Sequence, residues 1–188
     1  MTRSGRFLTL FLFPMIVIPT LLVLRLARGD SGAILWPKDI WFWTHVTLLV
    51  IALIGLLTSV LSAVLYLWQS SQLKSKKLGS AFFRLPGLHA LDNLHFRALA
   101  AGVIFFSLGI LSGFFWATDL KELGSVWSDP KVTLSFVTCL FYWGVVSLRL
   151  SPLGRGQKIA AGTLVAFTLL FLTFISSCVS PSSFHRGF

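Results

Sequence analysis

Polar and apolar positions in this 188-residue chain fall into long blocks rather than alternating. Five apolar stretches, at roughly 7–25, 41–68, 97–117, 132–149 and 159–179, approach or exceed the ~20 residues an α-helix needs to cross a bilayer. None has the two-residue alternation of a barrel strand. The pattern predicts an all-α polytopic membrane bundle of about five transmembrane helices, forming one membrane domain over 1–188. Residues 1–40 would hold the first helix and an outer loop, and 70–97 a basic cytoplasmic segment. Arg3 and Arg6 followed by Phe7 to Leu24 also fit the charged and apolar regions of a secretory signal. The apolar part exceeds the usual length and no small-x-small cleavage site follows, so an uncleaved helix is expected.

Composition agrees with a membrane protein: 55% of residues are hydrophobic and 12% charged, with a mean hydropathy of +0.84. In soluble domains about a quarter of residues are charged. Charge then sets the topology. Along a five-helix path, Arg3, Arg6, Lys74, Lys76, Lys77, Arg84, Asp92, Arg97, Arg149, Arg155 and Lys158 lie on one side. They supply nine of the ten net positive charges, and the positive-inside rule makes that side cytoplasmic. The N-terminus is therefore expected inside and the C-terminus outside. A pI near 10.5 also invites a nucleic-acid reading, but the charge flanks spans in short loops and forms no dedicated binding domain. No nucleic-acid partner is expected.

This topology brings separated residues to one height. His45 near the start of the second stretch, Trp116 at the end of the third, Trp127 and Asp129 in the loop that follows, and His185 near the C-terminus share the outer interface. An aromatic belt accounts for Trp36, Trp41 and Trp43, because tryptophan favours headgroup depth. It does not account for two histidines. Each could be solvated or bonded to a carbonyl; as a pair beside flat aromatic rings they could also be axial ligands to haem iron, for which imidazole is a usual neutral ligand.

The helix faces carry small residues. Ala52, Gly55, Ser59 and Ser62 line one stripe, and Gly102, Gly109 and Gly113 another, with Gly109 to Gly113 a G-x-x-x-G. Such stripes let helices approach closely in lipid, and Ser59 and Ser62 are expected to bond neighbouring helices. Ionisable residues are missing from the interiors of the five stretches, which argues against a proton pump or an ion-coupled carrier. Between Lys74 and Arg97 a short interfacial helix starting at Pro86 is expected, with His89 and His95 as ordinary interfacial histidines, since six residues apart they do not share a face. Cys139 and Cys178 form no Cys-x-x-Cys pair, so covalent haem attachment, thiol exchange and a zinc site are unsupported. No soluble-enzyme motif is present.

From His45 onward the chain resembles the cytochrome c assembly membrane protein family, which includes CcsA, ResC and HemX-like proteins. The matching pieces occur in order: His45 opening a helix that ends Ala63-Val-Leu-Tyr66-Leu; the basic run Leu73-Lys-Ser-Lys-Lys77; Leu91-Asp92-Asn-Leu-His-Phe-Arg97, similar to L-D-x-L-x-Y-R; and Leu108-Gly-Ile-Leu-Ser-Gly113-Phe-Phe-Trp116-Ala, similar to L-G-I-x-x-G-x-x-W-A. Gly124-Ser-Val-Trp127-Ser-Asp129-Pro-Lys131 resembles the tryptophan-rich haem motif. Arg155-Gly-Gln-Lys158 and Ser183-Phe-His185 resemble the basic turn and terminal histidine motif. The resemblance covers 41–188.

The resemblance implies a haem-binding or haem-handling protein of a bacterial-type cytoplasmic (inner) membrane, working with membrane partner subunits. It makes His45 and His185 axial ligands of haem iron, with Trp116, Trp127 and Asp129 over the porphyrin. The chain departs from the family in three ways. The loop is about one residue shorter and keeps only Trp127 of a W-x-W-D-P-K pattern; Ser147 stands where synthase members carry a histidine; and about three N-terminal spans are lacking. These departures leave two other readings open: a structural subunit of a larger respiratory or photosynthetic complex that has lost haem, and a HemX-like regulator of haem synthesis.

Overall fold

The computed structural model describes residues 40–76, 86–119, 130–151 and 156–179. Four helices lie within them: α1 (Ile40–Ser75), α2 (Leu88–Asp119), α3 (Pro130–Leu150) and α4 (Gln157–Val179). Each contains a segment long and apolar enough to cross a membrane. The described residues are all-helical, with no strand among them, and the chain is a multi-pass membrane protein. The stretch at 7–25 lies outside the described residues.

Helix ends follow local chemistry. The N–H of Lys76 bonds the Leu73 carbonyl, and Lys76 takes a left-handed φ of 55°, the conformation that commonly ends an α-helix. Pro86 and Gly87 precede α2, and the Gly87 carbonyl accepts the N–H groups of Ala90 and Leu91.

One expectation is corrected here. Instead of an interfacial helix followed by a separate span from 97, α2 is one continuous helix of 32 residues. Leu91, His95, Leu99, Val103 and Phe106 are all buried, at the three- and four-residue spacing that keeps side chains on one helix face. That buried face passes unbroken through the supposed boundary. At 1.5 Å per residue, α1 and α2 are about 54 and 48 Å long, beyond the ~30 Å hydrocarbon layer.

Neighbouring helices run antiparallel. His45 meets Gly109 near one end of the α1–α2 pair, and Gln69 bonds the Pro86 carbonyl at the other. Trp143 of α3 donates its indole N–H to Ser107 of α2, and Thr138 of α3 faces Thr173 of α4 at 3.4 Å. α4 packs back against α1, so the helices form a ring. Ala52, Leu56, Leu99, Val103, Phe106, Tyr142, Val145 and Ala166 fill its middle. The α1–α2 seam is tight, because a Cβ on Gly55 would stand 3.0 Å from the Gly102 Cα. Ser62 bonds the Thr58 carbonyl of its own helix, and Ser59 Oγ has no hydrogen-bond partner among the described residues. Close packing is therefore the role of this stripe, and among the described residues its serines make no bond to a neighbouring helix.

Candidate functional site

His45 lies one and a half turns into α1, part-buried against α2. Its Nδ1 stands 2.7 Å from the Gly109 carbonyl oxygen. A carbonyl can only accept, so Nδ1 carries the proton and, in the neutral ring, Nε2 holds the lone pair. Ser112, buried one turn from Gly109, donates its hydroxyl to the same carbonyl at 2.7 Å and stands 3.4 Å from His45 Nδ1. Gly113 supplies the room: a Cβ there would lie 2.7 Å from His45 Cε1 and 2.9 Å from Nδ1. The glycines read from sequence as a packing stripe thus form the floor on which the imidazole rests. Their spacing was visible, but the ring above them was not.

Aromatic rings surround this end. Trp41 and Phe115 stack with centroids 5.7 Å apart and planes at 29°, and Phe42 meets Trp43 edge-on at 5.6 Å. Trp41 and Phe115 are both exposed, so flat apolar surface is presented beside the histidine. Trp116 belongs to the last turn of α2. That helix ends, α3 begins and α4 ends at the same end of the bundle. Trp127, Asp129 and His185 lie outside the described residues. Among the described residues no three His, Cys, Asp or Glu side chains gather as a metal cluster.

The opposite end is a polar junction that sequence reasoning missed. Arg149 of α3 pairs with Asp92 of α2 and stacks over Phe96, 5.5 Å from the ring centroid. His95 is 3% exposed rather than interfacial. Its Nε2–H donates to Thr163 of α4 at 2.9 Å, while the Thr163 hydroxyl donates to the Ile159 carbonyl. Gln157 bonds Ser70, and Lys74 donates to Gln157 at 2.8 Å. The Tyr66 hydroxyl lies against Gly156, whose φ is +75°. His89, by contrast, is exposed and bonded to Asn93 within its own helix. Helical spacing could have separated these two histidines, because His95 shares a face with Leu91 and Leu99 whereas His89 does not.

Fold and site together define a multi-pass helical membrane protein in which a histidine is seated at one end of the bundle beside exposed aromatic rings. The chain belongs to the cytochrome c assembly protein family: the family profile, described as Cytochrome C assembly protein, matches residues 4–185. Among its relatives is a cytochrome c biogenesis protein CcsA of Synechococcus sp. (strain RCC307), 32% identical over an alignment of 163 residues that covers 75% of this chain and 50% of the relative. A second, the CcsA of Prochlorococcus marinus subsp. pastoris (strain CCMP1986 / NIES-2087 / MED4), is 28% identical over 73% of this chain and 50% of its own length. The CcsA of Synechococcus sp. (strain CC9605) is 29% identical over 78% and 55%. The chain thus spans about half the length of the curated relatives it matches. No solved structure matches it.

Proposed function

We propose that this chain is a cytochrome c assembly component that binds haem at the outer face of a bacterial-type inner membrane, with His45 as one axial ligand. The observation that carries the reading is the tautomer of His45. Histidine ligands almost always donate their second ring N–H to a carboxylate, carbonyl or water, which fixes the ring and raises its basicity. The bond from His45 Nδ1 to Gly109 does this and puts the lone pair of the neutral ring on Nε2. Exposed Trp41 and Phe115 offer flat apolar surface suited to a porphyrin.

In this reading bound haem supplies the iron-porphyrin that cytochrome c assembly requires. His185 would be the second residue to hold the haem, and Trp116, Trp127 and Asp129 would help to bind it. His45 would hold the iron through Nε2, with Gly109 keeping its proton on Nδ1, and the exposed aromatic rings would give the porphyrin an apolar surface. The positive-inside argument supports the orientation, with the Asp92–Arg149 end in the cytoplasm. Membrane partner subunits would receive or supply the haem.

Absorption spectra of the protein purified in mild detergent test the proposal. We expect a Soret band, retained or gained on adding haem, that is shifted or lost in His45→Ala and His185→Ala. No band under either condition, or one unchanged by both substitutions, would sink it.

A further inference from the structure

We propose that Ser112 is a positioning residue that sets how strongly His45 donates to its ligand, by competing with the imidazole for the Gly109 carbonyl. This inference rests on the haem reading above for its consequence, though its geometry does not.

The Gly109 oxygen has two lone pairs and three suitors. His45 Nδ1–H and the Ser112 hydroxyl each donate to it at 2.7 Å, and the helix directs the Gly113 N–H toward it as well. Ser112 is 6% exposed, so water does not dilute the competition, and hydrogen bonds in such a medium are electrostatically stronger than in water. Each donor added to one oxygen weakens its hold on the others. The serine hydroxyl, 3.4 Å from Nδ1, therefore holds the His45–carbonyl bond below the strength it would reach alone. A stronger Nδ1–H bond makes Nε2 a better electron donor, and a better donor favours ferric over ferrous iron. Removing the hydroxyl should strengthen the ligand and lower the iron's midpoint potential.

Gly113 makes the arrangement possible. A methyl group there would overlap the ring at Cε1 and Nδ1, so the imidazole can share the Gly109 carbonyl with Ser112 only above a glycine. Gly109, Ser112 and Gly113 thus act as one seat.

The test uses Ser112→Ala and Ser112→Thr. Redox titration of the haem-loaded protein should show the alanine variant keeping its Soret band with a more negative midpoint potential. The threonine variant, whose hydroxyl can make the same back-bond, should return toward the parent value. In the haem-free protein, nitrogen-15 NMR of histidine should find the His45 proton on Nδ1, its resonance moving downfield in Ser112→Ala as the bond shortens. A proton on Nε2, or an Nδ1–H resonance unmoved by the alanine substitution, would overturn the proposal even if no haem binds. So would an unchanged potential in a variant whose haem still depends on His45. A parent protein that binds no haem, yet shows the NMR shift, would refute the haem reading and leave the seat standing.

Discussion

Two histidines six residues apart in α2 show how far burial separates identical side chains. His95 lies between buried Leu91 and Leu99 and joins α2 to α4 through Thr163; His89 is exposed and bonds Asn93 of its own helix. Replacing His95 by alanine removes an interhelical bond and leaves a cavity, at a cost of about 2 kcal/mol or more. His89→Ala should stay within about 0.5 kcal/mol, as surface substitutions usually do. Thermal unfolding in detergent should therefore lower the midpoint clearly for the first variant and scarcely for the second. Equal midpoints would show that the His95–Thr163 bond does not hold the helices together. His45 was legible as a candidate because it stands alone at a helix start among tryptophans. Its tautomer was not, because that depends on a carbonyl 64 positions along the chain.

At the scale of elements, the glycines have two fates. Gly55 presses on Gly102 across the α1–α2 seam, where apolar area gives no driving force in lipid and close approach supplies the attraction. Gly144 of α3 has no described atom within 4 Å of an added Cβ and sits among exposed Leu140, Phe141 and Leu148. Gly55→Leu should overpack the seam and cost about 1–3 kcal/mol or more; Gly144→Leu should be neutral or slightly stabilising, since leucine is the better helix former. Melting curves of the two variants check this, and a tolerated Gly55→Leu would mean the seam is looser than the backbone distance indicates. The small-residue stripe was readable from spacing alone. The length of α2 was not, because Asp92 and His95 look like loop composition until Arg149 and Thr163 arrive from other helices to satisfy them.

For the whole molecule, the Arg149 end is where polar side chains tie the ring together. At the Arg149 end, polar contacts join α1 to Pro86 just before α2, α2 to α3, α2 to α4 and α1 to α4. The polar tie described nearest the His45 end joins α1 to α2 through Gly109. The proposed orientation is open to direct measurement: alkaline phosphatase fused after Asp119 should be active in a bacterial host, and fused after Lys77 it should be inactive. The reverse pattern would turn the molecule over and put His45 on the cytoplasmic side. Basic residues near the spans carry this prediction, so it was complete at the level of sequence.

Sequence by itself determined the solvent in which this protein folds, the helical class, and the family, because lipid demands long apolar helices and the family's motifs keep their order along the chain. It also singled out His45. Only the tertiary structure decided which polar residues are buried and what each one bonds, since those partners come from other helices. Gly109 and Gly113 therefore began as part of a stripe that lets helices approach. The fold, by laying an imidazole across them, turned them into a seat with a defined proton.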